Sequence, residues 1–379
     1  MRQTAVFALR ALLVLAAAAW IEGANRAKPT PYAVLGEKPY EYTGPRGEEA
    51  EPEGLTRVAI GLYVTSDGIG PSIRRGAELA VAEANRAGGF RGIPFELIVK
   101  SADKTWGSAR EVVDLAYEHK VWAVIGGVDA ESSHVAEQIA TKAQLPLISP
   151  ATSEASLTEI NIPWMFRMVP GDDALARVMV EYLHERKLLR VLSVVGPTLD
   201  DRSLAVSFAK ELADRDGTVV HRVEVGESAA PEGCEGAQAA VVFASPGAGC
   251  ETIDALRELG CDLPVLAGPG LALPNLLPGE VCSRVHAVVS LWARGAENRV
   301  GVLFETAYRT RFGEIPDEAT ALAYDSVGVL VAAIRRAGLN RARIRDELSA
   351  TEGYIGVTGL IELDGTGSRV GEAAIRRLR

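Results

Sequence analysis

The stretch RVAIGLYVTSDGIGPSIRRGAELAVAEANRAGGF, Arg57 to Phe90, decides the fold. Val58, Ile60, Leu62 and Val64, at every second position, mark a strand. The loop Thr65-Ser66-Asp67-Gly68 follows, and a helix begins near Pro71. Ile73, Ala77, Ala80, Val81 and Ala84 then recur at helical spacing until Gly88-Gly89 ends the run. Working outward, the same alternation returns. Strands are expected at Phe95 to Lys100, Val121 to Ile125 and Leu145 to Ser149, with helices at Ser108 to Glu118 and Ser132 to Ala143. Strand and helix joined by short loops mean right-handed βαβ units and a parallel sheet.

A second series begins after Trp164 to Val169. It predicts helices at Asp172 to Arg186, Arg202 to Arg215 and Glu251 to Leu259. Strands are predicted at Arg190 to Val195, Thr218 to Val225, Ala239 to Ala244, Val265 to Ala267 and Val285 to Leu291. Helices at Asn298 to Phe312, Glu318 to Ala337 and Arg343 to Ala350 and a strand at Val357 to Leu363 close the chain, and the late helices do not fit simply onto the second half. With 379 residues the chain is long enough for two cores. The fold class is therefore α/β, as two Rossmann-like halves. In open parallel sheets ligands bind beyond the carboxyl ends of the strands, so two such sheets facing each other make a cleft.

The ends read differently. Arg2 and Arg10 flank the apolar run Ala11 to Ile21, and Ala17, Ala19 and Ala24 offer cleavage sites. Residues 1–24 are thus expected to be an export signal, with an uncleaved anchor as the alternative, because a span needs ~20 apolar residues. Residues 25–55 carry Pro29, Pro31, Pro39, Pro45 and Pro52 without apolar periodicity and are expected to be a disordered linker. The net charge of −10 argues against nucleic acid, whose phosphates need clustered cations. Cys234, Cys250, Cys261 and Cys282 are an even set in one stretch, which in an exported chain suggests disulfides; three pairings remain open. A metal site is disfavoured by the absence of a CxxC knuckle or a clustered His.

Four segments carry a family resemblance: GAELAVAEANRAGGFRG (Gly76–Gly92), VWAVIGG (Val121–Gly127), LPLISPATS (Leu145–Ser153), and ALAYDSVGVLVAAIRRAG (Ala321–Gly338) followed by GVTGLIELDGTG (Gly356–Gly367). In order and spacing the chain resembles periplasmic solute-binding proteins of type I fold, of the branched-chain-amino-acid type, the soluble receptors of ABC importers. The likeness runs from residue 56 to the end. It implies three hinge crossovers, near Arg167 to Gly171, Ser290 to Arg294 and Tyr354 to Gly359. Lobe 1 would be residues 56–168 plus 293–355, and lobe 2 residues 169–292 plus 356–379. It also implies a monomer in the periplasm, a small polar ligand, hinge closure, partner permease subunits and no cofactor.

Candidate ligand residues sit at strand ends. The loop Gly126 to Ser133 opens a helix, and its free N–H groups with Asp129 and Ser132 suit an anion; a plain N-cap by Ser132 is the alternative. The serine that family members use for a ligand carboxylate falls nearest Ala130. Thr152 and Ser153 match family positions that hold the ligand's carboxylate and amino group, or else cap a helix. Trp106 is either an aromatic wall for the ligand or core filling under its loop. Asp200, Asp201 and Arg202 stand where family members often carry a ligand-covering aromatic. The acids can cap the next helix instead, and Arg202 can pair with them or with a ligand carboxylate. After Ala267 the chain reads Gly268-Pro269-Gly270-Leu271, without the acid that binds an ammonium in amino-acid receptors. The ligand is therefore expected not to be an α-amino acid, unless Asp129, Asp200 or Asp201 substitutes. His134, with Glu137 and Gln138, lacks the second His of a zinc helix and is read as structural. The chain has no G-x-S-x-G elbow, P-loop or G-x-G-x-x-G, so an exported enzyme is the weaker reading. A sensor or degenerate scaffold of the same fold is the other.

Overall fold

The computed structural model describes residues 47–102, 108–160, 162–226, 233–272, 285–290, 292, 298–371 and 373–376. The first sheet contains β1 (Val58–Thr65), β2 (Phe95–Ala102), β3 (Val124–Gly126), β4 (Leu147–Ser149) and β5 (Met165–Arg167), in the order β2-β1-β3-β4-β5 and parallel throughout. The second contains β6 (Arg190–Val195), β7 (Thr218–Glu224), β8 (Ala239–Phe243), β9 (Val265–Ala267) and β10 (Val285–Ser290). These run parallel, in the order β10-β9-β8-β6-β7, and β14 (Ala374–Arg376) adds antiparallel to the edge of β10. Each strand of the first sheet from β1 to β4 leads into a helix, as the alternation requires. Buried on both faces, β1 and β8 are almost wholly apolar, which is how a parallel strand covered by helices reads.

The late helices Glu318–Ala337 and Arg341–Ser349 return to the first lobe, where Val327, Leu330, Ile334, Ile344 and Leu348 share one core with Ile60, Leu62 and Ile73. Contact is close enough that a Cβ on Gly76 would lie 2.2 Å from the Thr320 carbonyl oxygen.

The structure departs from the sequence reading in several places. First, the segment after Gly356 does not pass straight into lobe 2. A small antiparallel sheet of β11 (Tyr354–Gly356), β12 (Gly359–Leu363) and β13 (Arg369–Val370) intervenes. Ile361 and Leu363 lie in the first-lobe core, and Arg167 donates from Nε to the Ser368 hydroxyl at 3.1 Å. The buried Asp325 carboxylate fixes the entry to this hairpin, accepting the N–H groups of Val357 at 2.7 Å and Thr358 at 2.8 Å. Residues 356–370 thus belong with lobe 1, and the return to the second sheet comes just before β14. Second, residues 47–55 of the expected linker touch lobe 1: Leu55 packs on its core, and Glu51 accepts from Arg91 at 3.0 Å. The expected signal at residues 1–24 and the linker up to residue 46 lie outside the described residues. Third, the helix expected from Glu251 begins at Pro246, a residue suited to the first helical turn.

Cys234 and Cys261 form a disulfide, and Cys250 is disulfide-bonded as well; Cys282 lies outside the described residues. Among the described residues no group of three or more His, Cys, Asp or Glu could hold a metal. No described helix is long and apolar enough to cross a membrane.

Candidate functional site

The carboxyl ends of the two sheets face each other across a cavity of about 330 Å³. Its walls are mostly apolar, with Ile69 and Leu322 from lobe 1 and Leu175, Leu204 and Phe243 from lobe 2. Ser153, Asp200, Asp201 and Glu318 supply polar groups, and Gly268-Pro269-Gly270 forms part of the rim. Such a volume falls within the range for small-molecule pockets, with few polar groups among many apolar ones.

In lobe 1, β3 ends at Gly126, and Gly127 takes φ +82°, where a Cβ would collide with Ser133. That turn starts the helix Ala130–Ala143. Asp129 is its N-cap: the carboxylate accepts the Ser132 N–H at 2.6 Å, and the Ser132 hydroxyl accepts the Asp129 N–H at 3.4 Å. Asp129 and Ser132 are therefore spent on each other. The Ala130 N–H points elsewhere. It donates to Asp200 Oδ2 of lobe 2 at 2.8 Å, and the Thr152 hydroxyl donates to Asp200 Oδ1.

Asp200 can reach because the lobe 2 helix starts earlier than the sequence suggested. It runs Leu199–Ala213, with Thr198 as N-cap and Asp201 completing a capping box. Asp201 therefore does the capping while Asp200, in the first turn, crosses the cleft. The contact is reciprocal: Glu131 in the first turn of the lobe 1 helix accepts the Leu199 N–H at 3.0 Å. Each helix start thus receives a carboxylate from the other lobe, the charge sign that a helix N-terminus favours.

Ser153 points to Asp172, at the start of the helix Asp172–Glu185. Its hydroxyl donates to Oδ1 at 2.6 Å, and Ser203 donates to Oδ2 at 2.5 Å. Arg202 is exposed and does not line the cavity. Trp106 lies outside the described residues. The structure therefore brings Ala130, Thr152 and Asp200 together, pairs Asp129 with Ser132, and sets Arg202 apart.

Burial pushes the Asp200 carboxyl up to about 7, against the lowering effect of the Thr152 and Ala130 hydrogen bonds, and the charges of Asp129 and Asp172 raise it further. Burial likewise pushes Asp172 up to about 6. Beside this site His134 bridges Glu137 (3.3 Å) and Glu154 (3.1 Å), whose hydrogen bonds hold its imidazole up at about 9. This is an ion-paired support under the Thr152 loop.

Sequence reasoning missed Glu131 and Asp172. The only signal available was an acid in the first turn of each helix, which many helices share. It also missed Leu204 and Phe243, which read as ordinary core residues.

The family model for periplasmic binding proteins matches residues 58–375. The chain belongs to this family. A curated relative, "Leu/Ile/Val-binding protein homolog 3" of Brucella melitensis, is 26% identical over 310 residues, covering 74% of this chain and 79% of the relative. Among solved structures, the branched-chain amino acid transporter substrate-binding protein LivJ of Streptococcus pneumoniae, in complex with isoleucine, is 25% identical with a TM-score of 0.74, covering 84% of this chain and 95% of that one. A solute-binding protein of an R. palustris ABC transporter, in complex with benzoate, shares the fold at 17% identity and a TM-score of 0.74, covering 85% of this chain and 93% of that one. As a periplasmic binding protein, the chain has the two facing parallel sheets expected of type I. It is a substrate-binding protein of the ABC transporter class rather than a member of an enzyme family.

Proposed function

We propose that this periplasmic binding protein is exported to the periplasm, captures one small molecule in the cleft between its lobes, and delivers it unchanged to the permease of an ABC importer. The observation that carries this reading is the cavity at the facing strand ends, walled by both lobes. A ligand held there touches both halves, so its binding energy favours the closed arrangement. The apolar walls call for an apolar body, and Ser153, Asp200, Asp201 and Glu318 leave one polar end to recognise. Isoleucine and benzoate, bound by the two structural neighbours, are of that size and amphipathic build.

Native mass spectrometry of the full chain, purified without refolding, tests the proposal. A noncovalent small molecule is expected, released intact on denaturation, and absent from a Gly268→Trp variant whose new side chain fills the cavity. A chain that carries no ligand in any preparation, or releases a chemically altered one, contradicts it.

A further inference from the structure

We infer that in the closed arrangement Asp200 fills the place where lobe 1 would bind a ligand carboxylate, and that the ligand is an apolar-bodied molecule whose polar end donates N–H bonds, an ammonium or an amide. This inference rests on the receptor reading above and narrows its ligand class.

The Ala130 N–H and the Thr152 hydroxyl are two donors at the mouth of one helix, a cradle shaped for the two oxygens of a carboxylate. Both already hold one: Oδ2 of Asp200 takes the first and Oδ1 the second. The Glu131 bond to the Leu199 N–H ties the same two helix starts together, so Asp200 is held in place from both sides. When the lobes close, a ligand acid in the cradle would compete with Asp200 for the same two donors. Having displaced Asp200, it would leave that carboxylate without its donors beside Asp129 and Asp172, the two acids that already act on it.

The charge of the cavity points the same way. Asp200, Asp201 and Glu318 line it, and among its described lining residues there is no Lys, Arg or His. An anion entering here would meet only like charge, whereas an N–H donor would find the free lone pairs of Asp200, which still borders the cavity. The walls of Ile69, Leu204 and Phe243 then take the hydrocarbon body.

Calorimetry with three probes of matched branched body tests this at pH 8: 3-methylbutylamine, 3-methylbutanamide and 4-methylpentanoate. On the wild-type chain the amine or the amide is expected to bind at least tenfold more tightly than the acid, and which of the two wins distinguishes a charged from a neutral donor. Asp200→Ala empties the cradle, so the acid is expected to gain at least tenfold and the amine to lose at least tenfold. Asp200→Asn keeps the shape and removes the charge, and is expected to weaken the amine similarly if the alanine variant does not fold. The inference is overturned if the acid binds the wild-type chain as tightly as the nitrogen probes, if neither nitrogen probe binds it, or if both variants leave the acid unchanged. In any of these cases a ligand seen by native mass spectrometry would leave the receptor reading standing, while an empty chain there would remove that reading independently.

Discussion

His134 and Asp200 both hold their protons more tightly in the folded state, and each gives a pH prediction. The hydrogen bonds to Glu137 and Glu154 raise His134 from its ordinary 6.5 to about 9, so the folded state holds this proton more tightly. Its contribution is fully present below pH 6.5 and is lost as pH rises through about 9. Glu154 is the mirror case. Burial alone would raise it, but the bonds from His134 and Ser156 win and lower it to about 2, so its share is present above pH 4.5 and is lost as pH falls through about 2. His134→Gln should therefore cost on the order of 1 kcal/mol at pH 6, and the gap to wild type should close above pH 9; urea unfolding across pH reads both.

For Asp200, burial raises the carboxyl from 3.8 to about 7, so the folded state again binds the proton better. Its contribution is present below about pH 4 and is lost as pH rises through about 7, the reverse of a salt-bridged Asp. The groups that face it are Asp129 and Asp172, which are like-charged, and Thr152 and the Ala130 N–H, which donate. Asp200→Asn should flatten the stability profile between pH 4 and 7; an unchanged slope would mean the carboxylate is not held as described. At this scale the sequence was informative but not decisive. It named both Asp200 and Asp201, yet could not say which caps the helix and which crosses the cleft. That choice depends on a helix start three residues earlier than periodicity indicates, at Leu199.

At the scale of elements, the helix Gly70–Arg86 meets the helix Glu318–Ala337 with Gly76 at the point of nearest approach. A methyl group there would press on the Thr320 carbonyl, which is backbone and cannot rotate away. Gly76→Ala is expected to destabilise the fold by about 2 kcal/mol, the usual cost of overpacking. Asp325 closes the same lobe by accepting from the Val357 and Thr358 N–H groups and the Thr358 hydroxyl. Asp325→Ala would leave these buried donors unpaired and should cost about 3 kcal/mol; hydrogen exchange should show the loss centred on residues 354–363. The strand–helix alternation was legible because parallel strands and amphipathic helices impose different periods on the chain. The hairpin was not, because two short apolar runs state that they are buried but not against which core. Asp325, on the preceding long helix and 32 residues before Val357, decides it.

For the whole molecule, the two sheets form separate cores, and the disulfide Cys234–Cys261 staples only the second. Closing a loop with a separation of 27 residues should be worth about 3 kcal/mol through the unfolded chain. Cys234→Ser with Cys261→Ser is expected to lower the unfolding midpoint of lobe 2 while leaving the early-exchanging and late-exchanging amides of β1 and β3 unchanged. That there would be two parallel-sheet lobes followed from the strand–helix alternation and the chain length, and the crossovers between them from the family resemblance. That one lobe would send a carboxylate onto the helix start of the other did not, because the pairing joins residues from separate lobes whose geometry no local pattern encodes.

The central claim is that one guest is held by both lobes at once. Hydrogen exchange on the protein as purified, against the same protein stripped in denaturant and refolded, addresses it most directly. The account predicts that the ligand-loaded form is protected together at residues 126–133 and 151–156 of lobe 1 and at residues 198–204 of lobe 2. Protection confined to one of the two lobes, or absent from all three segments while a ligand is demonstrably bound, would contradict it.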